Sequence, residues 1–274
     1  MRELTGKVAV ITGGASGIGR GLAEAFAAEG MRIVLGDLDE RRLREVEVAL
    51  GEAGTEVLPV RCDVASEASV QALAESAMER FGAAHVVCNN AGVVGRGDPW
   101  TGPTSAWEWI VGINLWGVIY GCQLFVPQMR AQGGGHVINV ASSAGLLCMP
   151  MMAPYNVTKA GVVALSETMC AELKPAGIGV TVLCPTFFRT KIMENSRYHG
   201  EGSTLGRVHK MMDRAKMQAP DVARFALDAA AADQLYALPH DDGAWLWRLK
   251  RLIPERFYQT LVPRNLGRFT GGKR

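Results

Sequence analysis

Short runs of apolar, mostly β-branched residues alternate along this chain with segments whose apolar positions recur at the helical period. The apolar runs contain few polar positions, as strands do when helices cover both faces of their sheet. The pattern therefore predicts strand–helix–strand crossovers and an α/β fold, a doubly wound parallel sheet with helices on both faces. The predicted strands are Val8–Ile11, Ile33–Leu35, Val57–Val60, His85–Cys88, Val137–Val140, Val180–Leu183 and Leu235–Leu238. The predicted helices cover residues 17–30, 39–53, 66–81, 104–131, 155–176 and 221–232.

Residues suited to helix ends support these bounds. Ser66 and Thr104 stand where N-caps are expected, and Gly30 and Gly177 follow the first and fifth helices. The pattern weakens in residues 190–218, which are polar and rich in Met and Gly. A connection of this length in a compact domain is typical of a functional loop such as a lid.

Length and composition fit one domain with an appended tail. The 274 residues are 48% hydrophobic and 20% charged, which excludes a disordered or collagen-like chain. The net charge is +2, but residues 244–274 hold eight Lys and Arg against one acidic residue, so they carry +7 and residues 1–243 carry −5. We therefore expect a single domain over residues 1–243, a basic amphipathic helical extension over 244–274, and no nucleic-acid partner.

The extension has the pattern of an amphipathic helix over Trp245–Leu261, interrupted at Pro254. Aromatic and basic side chains on such a helix suit three environments. These are the surface of an anionic membrane in peripheral contact, the face of a partner subunit, and the rim of the chain's own active site. The sequence leaves these alternatives open.

Residues 109–129 carry no charged side chain and are long enough to cross a bilayer. The same stretch contains Asn114, Pro127 and three glycines, a mixture that favours a helix buried between the sheet and a partner subunit over a transmembrane segment. The first residues lack the apolar core of a signal peptide, and the six cysteines are scattered without metal-ligand spacing. We expect a cytoplasmic protein without a metal site.

A glycine-rich segment, Thr12–Gly19, follows the first strand and opens the first helix. Glycines at this position let the backbone approach a pyrophosphate, which binds the amides at the helix N-terminus. The segment lacks the Lys-Ser/Thr pair of a nucleoside-triphosphate loop, so it predicts a dinucleotide site; a tight packing turn is the alternative. The predicted contacts are Gly13, Ser16, Gly17, Ile18 and Gly19.

Asp37 lies at the end of the second predicted strand, eighteen residues after Gly19. A carboxylate there can hydrogen-bond the adenosine ribose, and it repels the 2′-phosphate of NADP. No Lys or Arg occupies Gly14–Ser16, so the position favours NAD over NADP as the cofactor. A surface acid that caps the helix starting near Asp39 is the alternative.

Further motifs follow in a fixed order along the chain. With the glycine-rich segment, they are Asn89-Asn90-Ala91-Gly92, Asn114, Ser142, Tyr155-Asn156-Val157-Thr158-Lys159 and Pro185. In order and spacing, over about residues 5–190, the chain resembles the short-chain dehydrogenase/reductase family. The resemblance implies a Rossmann-type sheet of about seven strands, a nicotinamide cofactor and a homodimer or homotetramer. It also implies an active site made of Asn114, Ser142, Tyr155 and Lys159.

Tyr155 and Lys159 lie one turn apart on one face of the fifth predicted helix. Oxidising an alcohol requires a base for the hydroxyl proton, and a phenol with its ordinary pKa of about 10 is too weakly ionised at neutral pH. The Lys159 ammonium, together with a positive nicotinamide ring, is expected to lower the pKa of Tyr155. The resemblance adds that Lys159 binds the nicotinamide ribose.

The resemblance implies roles for the other residues as well. Ser142 would orient the substrate oxygen, and Asn114 would hold a water that links to Lys159 in a proton relay; a helix–helix hydrogen bond is the alternative for Asn114. The remaining cofactor contacts implied are Asn90, Ala91 and Gly92 in the groove, Asp63 and Val64 at the adenine, and Pro185 and Thr190 near the nicotinamide. Thr186 departs from the family, in which glycine is usual.

These residues together predict an NAD-dependent oxidoreductase that interconverts a secondary alcohol and its ketone. Leu146, Leu147, Met149, Met151 and Met152 suit a pocket for a hydrophobic substrate, and they equally suit core packing. A non-catalytic NAD-binding sensor or scaffold, and the same fold using NADP, are the alternative hypotheses.

Overall fold

Seven parallel strands form the central sheet of the structure, a computed structural model that describes residues 3–97, 100–186, 188, 197–199 and 215–264. They are β1 (Val8–Thr12), β2 (Arg32–Asp37), β3 (Val57–Arg61), β4 (Val86–Asn89), β6 (Gly135–Val140), β7 (Ile178–Leu183) and β9 (Tyr236–Ala237). Outside this sheet, β5 (Gly95–Gly97) pairs in parallel with β8 (Arg197–His199). The predicted α/β fold is confirmed, whereas the pattern did not predict β5 and β8, because three residues are too few to show a period.

The strand order places a crevice at one edge of the sheet. Across the sheet the strands follow β3-β2-β1-β4-β6-β7-β9, so the order reverses between β1 and β4. Chain connections leave these two strands in opposite directions, and the space between them at their carboxyl ends is the usual ligand site of a doubly wound sheet.

Helices connect the strands and cover both faces of the sheet. Within the described residues they are α1 (Gly17–Ala28), α2 (Glu40–Glu52), α3 (Glu67–Phe81), α4 (Thr104–Val111), α5 (Gly117–Ala131), α6 (Ser143–Leu147), α7 (Ala153–Leu173), α8 (Ala219–Ala231), α9 (Asp241–Leu252) and α10 (Pro254–Arg256). A π-helical turn, Gly112–Trp116, joins α4 to α5, and another, Phe257–Leu261, follows α10. The pattern did not predict α6, because a helix of five residues completes little more than one turn.

One of the two predicted N-caps is confirmed. The Ser66 hydroxyl accepts the Ser69 N–H at 3.3 Å at the start of α3. The prediction for Thr104 is wrong: Pro103 occupies the cap position with extended backbone, and Thr104 is the first helical residue. The fixed φ of proline is compatible with that extended position, so the helix starts without a capping side chain.

The core lies in two apolar layers, one on each face of the sheet. Successive residues of a strand point to opposite faces, so Val8 and Val10 of β1 belong to one layer and Ala9 and Ile11 to the other. Helices cover both layers, which explains why the strand is apolar at every one of these positions.

The continuous helix Thr104–Ala131 is, in the described part of the chain, the one helix long and apolar enough to cross a membrane. Its Ile110, Val118 and Phe125 side chains pack in the interior, and Asn114 in its middle is completely buried. This packing agrees with the expected helix against the sheet, while the partner subunit on its other side stays a prediction.

The described part of the C-terminal extension packs on the body of the same chain. Phe257 lies in the core with 3% of its surface exposed, and the ring centres of Trp247 and Tyr236 lie 4.8 Å apart. Trp245 and Leu252 remain 60% and 79% exposed, so a peripheral membrane contact stays a prediction. A boundary after residue 243 also stays a prediction, although α9 runs across it because this helix begins at Asp241.

His136 on β6 makes the stability of the fold depend on pH. Burial lowers its pKa from 6.5 to about 4, and its Nε2 lies 2.9 Å from the hydroxyl of Thr181, which itself donates to the Gln234 carbonyl oxygen. The unfolded chain binds a proton at this residue below pH 6.5, whereas the folded chain binds one only near pH 4. Stability therefore falls as the pH drops between those values.

We expect a His136→Gln variant to lack this loss of stability, since an amide can still donate to Thr181 and does not titrate. The free energy of unfolding of the wild type should fall by up to about 3 kcal/mol more than that of the variant between about pH 7 and about pH 4. Urea denaturation at each pH measures both. Equal losses in the two proteins would contradict the assignment.

Candidate active site

The glycine-rich segment between β1 and α1 lies at the crevice. Gly13 and Gly17 have positive φ angles of 65° and 54°, and a Cβ on Gly19 would overlap the Gly13 carbonyl oxygen. Glycine is therefore required for the loop to pack this closely on the first turn of α1, which leaves the backbone amides accessible at the helix N-terminus. Ser16 is the N-cap of α1, and its side chain makes no capping hydrogen bond. Ile18 packs against the apolar layer beneath.

Thr12 and Asn90 tie this segment to the end of β4. Asn90 Nδ2 donates to the carbonyl oxygens of Thr12 at 2.8 Å and Gly13 at 3.1 Å. In return, the Thr12 hydroxyl accepts the N–H groups of Asn90 at 3.0 Å and Ala91 at 3.2 Å. The bridge continues the pairing of these two neighbouring strands into the loops that follow them. Thr12 belongs to the motif, but the sequence does not indicate its role because 78 residues separate it from Asn90.

Asp37 ends β2 beside the glycine-rich segment. Its Oδ2 accepts the Ala15 N–H at 3.1 Å, and its Oδ1 accepts the Asp39 N–H at 3.1 Å. Asp39 caps α2 by accepting the Arg42 N–H at 3.0 Å, so the helix does not need Asp37 as its cap. The Asp37 carboxylate thus lies against the segment that the sequence assigns to the dinucleotide.

Asp63 and Val64 follow β3 at the same edge of the sheet, because β2 and β3 are parallel neighbours. Asp63 Oδ1 accepts the Ala65 N–H at 3.0 Å. Val64 is buried, and a Cβ on Gly117 would lie 2.9 Å from the Val64 Cβ. The carboxylate of Asp63 shapes the turn, and Val64 packs against the start of α5.

Tyr155 and Lys159 are buried on α7. Lys159 Nζ donates to the Val140 carbonyl oxygen at 2.7 Å and lies 5.9 Å from the centre of the Tyr155 ring. Burial raises the pKa of Tyr155 to about 12, against a lowering by a hydrogen bond with Ser142, and burial lowers the pKa of Lys159 to about 8. Loss of hydration is the largest contribution to the shift at Tyr155. The predicted lowering of this pKa, which needs the Lys159 ammonium together with a positive nicotinamide ring, stays a prediction.

Ser142 joins the ends of β6 and β7. It lies two residues beyond β6 as the N-cap of α6, where its Oγ accepts the Ala144 N–H at 3.1 Å. The same hydroxyl donates to the carbonyl oxygen of Pro185, two residues beyond β7, at 3.4 Å. Ser142 therefore contacts both the segment after β7 and the phenol of Tyr155.

Asn114 is completely buried in the π-helical turn. Its Oδ1 accepts the Val93 N–H and its Nδ2 donates to the Val93 carbonyl oxygen, both at 2.8 Å, so the side chain anchors the backbone after β4. A Cβ on Gly92 would lie 3.3 Å from Asn114 Oδ1 and 3.4 Å from Lys159 Nζ. Both residues of the predicted relay thus pack closely around Gly92, which places them near each other.

A buried polar network that the sequence did not indicate holds α7 to the sheet. Asn89 Nδ2 donates to Asn139 Oδ1 at 2.9 Å, and Asn139 Nδ2 donates to the Ser166 hydroxyl at 3.0 Å. These residues lie on β4, β6 and α7, so only the tertiary structure brings them together. The network positions the helix that carries Tyr155.

Two predicted features lie outside the described residues: Thr190 and most of the long loop over 190–218. All six cysteine positions are described, and each thiol is free. In the described part of the chain, no group of three or more His, Cys, Asp or Glu side chains could hold a metal ion. The cytoplasmic location and the lack of a metal site stay predictions.

The family model for short chain dehydrogenases matches residues 7–200. This chain belongs to the short-chain dehydrogenase family. The CLA biosynthesis dehydrogenase/reductase of Lactiplantibacillus plantarum is 38% identical to it over 204 residues, which cover 73% of this chain and 70% of the relative. The 2,5-dichloro-2,5-cyclohexadiene-1,4-diol dehydrogenase LinX of Sphingobium indicum is 32% identical over 247 residues, with 89% and 97% covered.

A solved structure of a short-chain dehydrogenase/reductase from Burkholderia phymatum, in complex with NAD, has the same fold. The two chains superpose with a TM-score of 0.87 at 39% identity, covering 93% of this chain and 96% of the other. The chain is accordingly a short-chain dehydrogenase with a Rossmann-type, NAD(P)-binding sheet, and members of this family act on small molecules.

We expect Gly19→Ala to weaken dinucleotide binding, because the new Cβ would overlap the Gly13 carbonyl oxygen and push the loop away from α1. The dissociation constant for NAD, measured by isothermal titration calorimetry, should rise at least about 10-fold. Gly51→Ala is the matched control, since a Cβ there would meet no atom within 4 Å. Unchanged affinity in the Gly19 variant would show that this loop does not bind the dinucleotide.

Proposed function

We propose that this chain is an NAD-dependent oxidoreductase that interconverts a secondary alcohol and its ketone, a reaction on a CH–OH group. The observation that carries the proposal is the convergence of three groups at the carboxyl edge of the sheet. The Ser142 side chain interacts with the phenol of Tyr155, and Lys159 Nζ lies 5.9 Å from the centre of the same ring. A phenol, a hydroxyl and an ammonium in this arrangement suit proton exchange with a substrate oxygen.

Tyr155 is the acid and base in this proposal. In ketone reduction its phenol donates a proton to the substrate oxygen, and in alcohol oxidation its phenolate accepts the hydroxyl proton. Burial holds its pKa at about 12, which favours the acid form. Oxidation therefore needs positive charge near the phenol, and the Lys159 ammonium is the protein's own source of it.

The dinucleotide would be held along the crevice. The proposed contacts are Gly13, Ser16, Gly17, Ile18 and Gly19 for the pyrophosphate, Asp37 for the ribose, Asp63 and Val64 for the adenine, and Asn90, Ala91, Gly92, Tyr155, Lys159, Pro185 and Thr190 towards the nicotinamide. The positive φ angles of the loop and the carboxylate at the end of β2 fit such a group. When bound, the nicotinamide exchanges a hydride with the substrate carbon and, oxidised, adds positive charge near the phenol.

Ser142 and Asn114 support the proton transfer in this proposal. The Ser142 bond to Pro185 is long at 3.4 Å, so its hydroxyl can turn to a substrate oxygen and orient it towards Tyr155. Asn114 Oδ1 and Lys159 Nζ both lie close to Gly92, and in this proposal a water next to them links Lys159 to solvent. Lys159 would then restore the proton that Tyr155 gives up.

The surroundings of Tyr155 favour a hydrophobic substrate. Its ring belongs to a third apolar cluster with Val94 and Ile110, and Trp109 and Met152 pack against that cluster. Leu146 and Leu147 belong to the core, which leaves Met152 as the residue of the predicted apolar set beside the phenol. An apolar wall next to the proton donor suits a bulky secondary alcohol.

We also propose that the chain forms a homodimer or homotetramer. Trp116 and Val157, on the π-helical turn and α7, are 46% and 53% exposed although both are large and apolar. The Trp116 ring stacks on Tyr120 at 5.5 Å, which makes a rigid aromatic surface. Burial of this surface against a second copy is the proposed contact.

Tyr155→Phe tests the proton-transfer role, since it removes only the hydroxyl. We expect the rate constant kcat to fall by about 10²- to 10⁴-fold while the affinity for NAD stays within about 2-fold of the wild type. Turnover is followed as NADH absorbance with a panel of secondary alcohols. Tyr236→Phe, which removes an exposed hydroxyl that donates to Glu167, should leave turnover intact. Retained turnover in the Tyr155 variant would refute this role. A wild type that binds NAD but turns over no alcohol of the panel would favour a non-catalytic NAD-binding protein.

Asp37→Asn tests the choice of cofactor. We expect the wild type to bind NAD at least about 10-fold more tightly than NADP, and the variant to narrow that ratio, because the charge that repels the 2′-phosphate is gone. Calorimetric dissociation constants for both nucleotides measure the ratio. Glu40→Gln, which removes a nearby exposed charge, should leave it unchanged. Tighter binding of NADP by the wild type would overturn the assignment.

A further inference from the structure

The family model ends at residue 200, yet residues 240–258 contact both segments that flank Ser142. One of these segments is Pro185–Thr186 after β7, and the other is α6 after β6. Two residues just before the C-terminal extension and two residues within it make the contacts, and we refer to the four as the C-terminal clamp: His240, Gly243, Lys250 and Tyr258.

The first contact of the clamp holds Thr186. His240 Nδ1 accepts the Thr186 N–H at 3.3 Å, and its ring stacks on Phe188 with the ring centres 6.0 Å apart. Thr186 directly follows Pro185, whose carbonyl oxygen accepts the Ser142 hydroxyl and the Ser143 N–H. His240 is therefore connected to Ser142 through two residues of backbone.

Gly243 fits against the side chain of Thr186. A Cβ on this buried glycine would lie 2.5 Å from Thr186 Cγ2, so α9 can approach this closely only with glycine at that position. Thr186 is the residue at which the chain departs from the glycine usual in the family. The larger side chain at 186 and the glycine at 243 are complementary, so the difference from the family at residue 186 is matched by a glycine on α9.

The second contact of the clamp holds the end of α6. Lys250 Nζ donates to the Leu146 carbonyl oxygen at 2.5 Å, and the Tyr258 hydroxyl donates to the Leu147 carbonyl oxygen at 2.8 Å. The last carbonyl groups of a helix have no partner within it, and a helix of five residues is not stable by itself. The clamp supplies these partners from outside the helix.

On its other side, α6 packs directly on the helix that carries the proposed acid and base. A Cβ on Gly145 would lie 2.5 Å from both the carbonyl carbon and the carbonyl oxygen of Lys159. The short helix is thus held between α7 and the extension, with Ser142 as its N-cap. A shift of α6 would move Ser142 relative to Tyr155.

We infer that the C-terminal clamp positions Ser142 for the reaction by holding the two backbone segments on either side of it. The inference rests on the proposed function for its effect on turnover, but its structural part can be measured independently. The clamp residues are positioning residues, since none of them touches Tyr155 or Lys159 in the described contacts. A misplacement of about 1 Å at a reacting group can cost about 100-fold in rate.

The test compares the Lys250→Met/Tyr258→Phe double variant with the wild type and with a matched control, Arg248→Met/Tyr236→Phe. Hydrogen exchange followed by mass spectrometry should show faster exchange of the amides of residues 144–148 in the clamp variant alone, with α7 unchanged. Its kcat/KM for a secondary alcohol should fall at least about 10-fold, while the dissociation constant for NAD stays within about 2-fold. The control should match the wild type.

Each outcome decides a different statement. Unchanged exchange at residues 144–148 overturns the statement that the clamp holds α6. Faster exchange with an unchanged kcat/KM overturns the statement that the clamp positions Ser142 for the reaction. A wild type that binds NAD but oxidises no alcohol and reduces no ketone overturns the proposed function, and the exchange measurement then still decides whether the clamp holds α6. A fall in NAD affinity equal to the fall in kcat/KM would show a general structural effect and would overturn the positioning role.

A second pair of variants tests the Thr186 contact. Gly243→Ala should lower kcat/KM at least about 10-fold at temperatures well below unfolding, and adding Thr186→Gly should restore it to the value of Thr186→Gly alone, because the overlapping methyl group is removed. Failure of the second substitution to restore activity would overturn the link between α9 and the segment after β7.

Discussion

Asn90 and Thr12 exchange hydrogen bonds between the carboxyl ends of β1 and β4, and the rest of the site is built around this bridge. The two strands are hydrogen-bonded neighbours as far as Ile11 and Cys88, and the bridge continues their pairing into the loops that follow, where the chain leaves in opposite directions. The Asn90 amide also binds the Gly13 carbonyl oxygen, which fixes the glycine-rich loop. Thr12 is buried and Asn90 is half-buried, so pairing their polar groups with each other avoids the cost of leaving them unsatisfied.

Burial of two titratable groups side by side is the second constraint on the site. Tyr155 and Lys159 are both buried, so each pKa moves in the direction that favours its neutral form. The Val140 carbonyl oxygen accepts a hydrogen bond from the Lys159 ammonium, and the Ser142 side chain interacts with the Tyr155 phenol. These contacts limit the free energy lost when the two groups are buried. A site arranged in this way is sensitive to any further charge brought next to the phenol, because little water remains to screen it.

Close approach of backbones explains several residues that look out of place in a helix. The uncharged helix contains Gly117, which packs on Val64, and Gly121, where a Cβ would overlap the Asn89 side chain. The glycines lower the helix propensity but let α5 lie directly on the polar network between β4 and β6. The same reasoning applies to Gly145 of α6, which packs against α7, and to Gly243 of α9, which packs against Thr186. Small residues therefore mark where the helices meet the site.

The sequence by itself determined the layer order, the parallel sheet and most helix bounds, because these depend on periodicity. It predicted the site residues from motifs in which neighbouring residues act together. Thr12–Gly19 and the Tyr155–Lys159 pair are of this kind. Only the tertiary structure decided the direction of the Tyr155 pKa shift, the partners of Asn114 and the Asn89–Asn139–Ser166 network. It also showed that the extension, for which the sequence left three environments open, packs on α6, and that His240 just before it holds Thr186. Burial and long-range hydrogen bonds join residues far apart in the chain, and no local pattern encodes which of them meet.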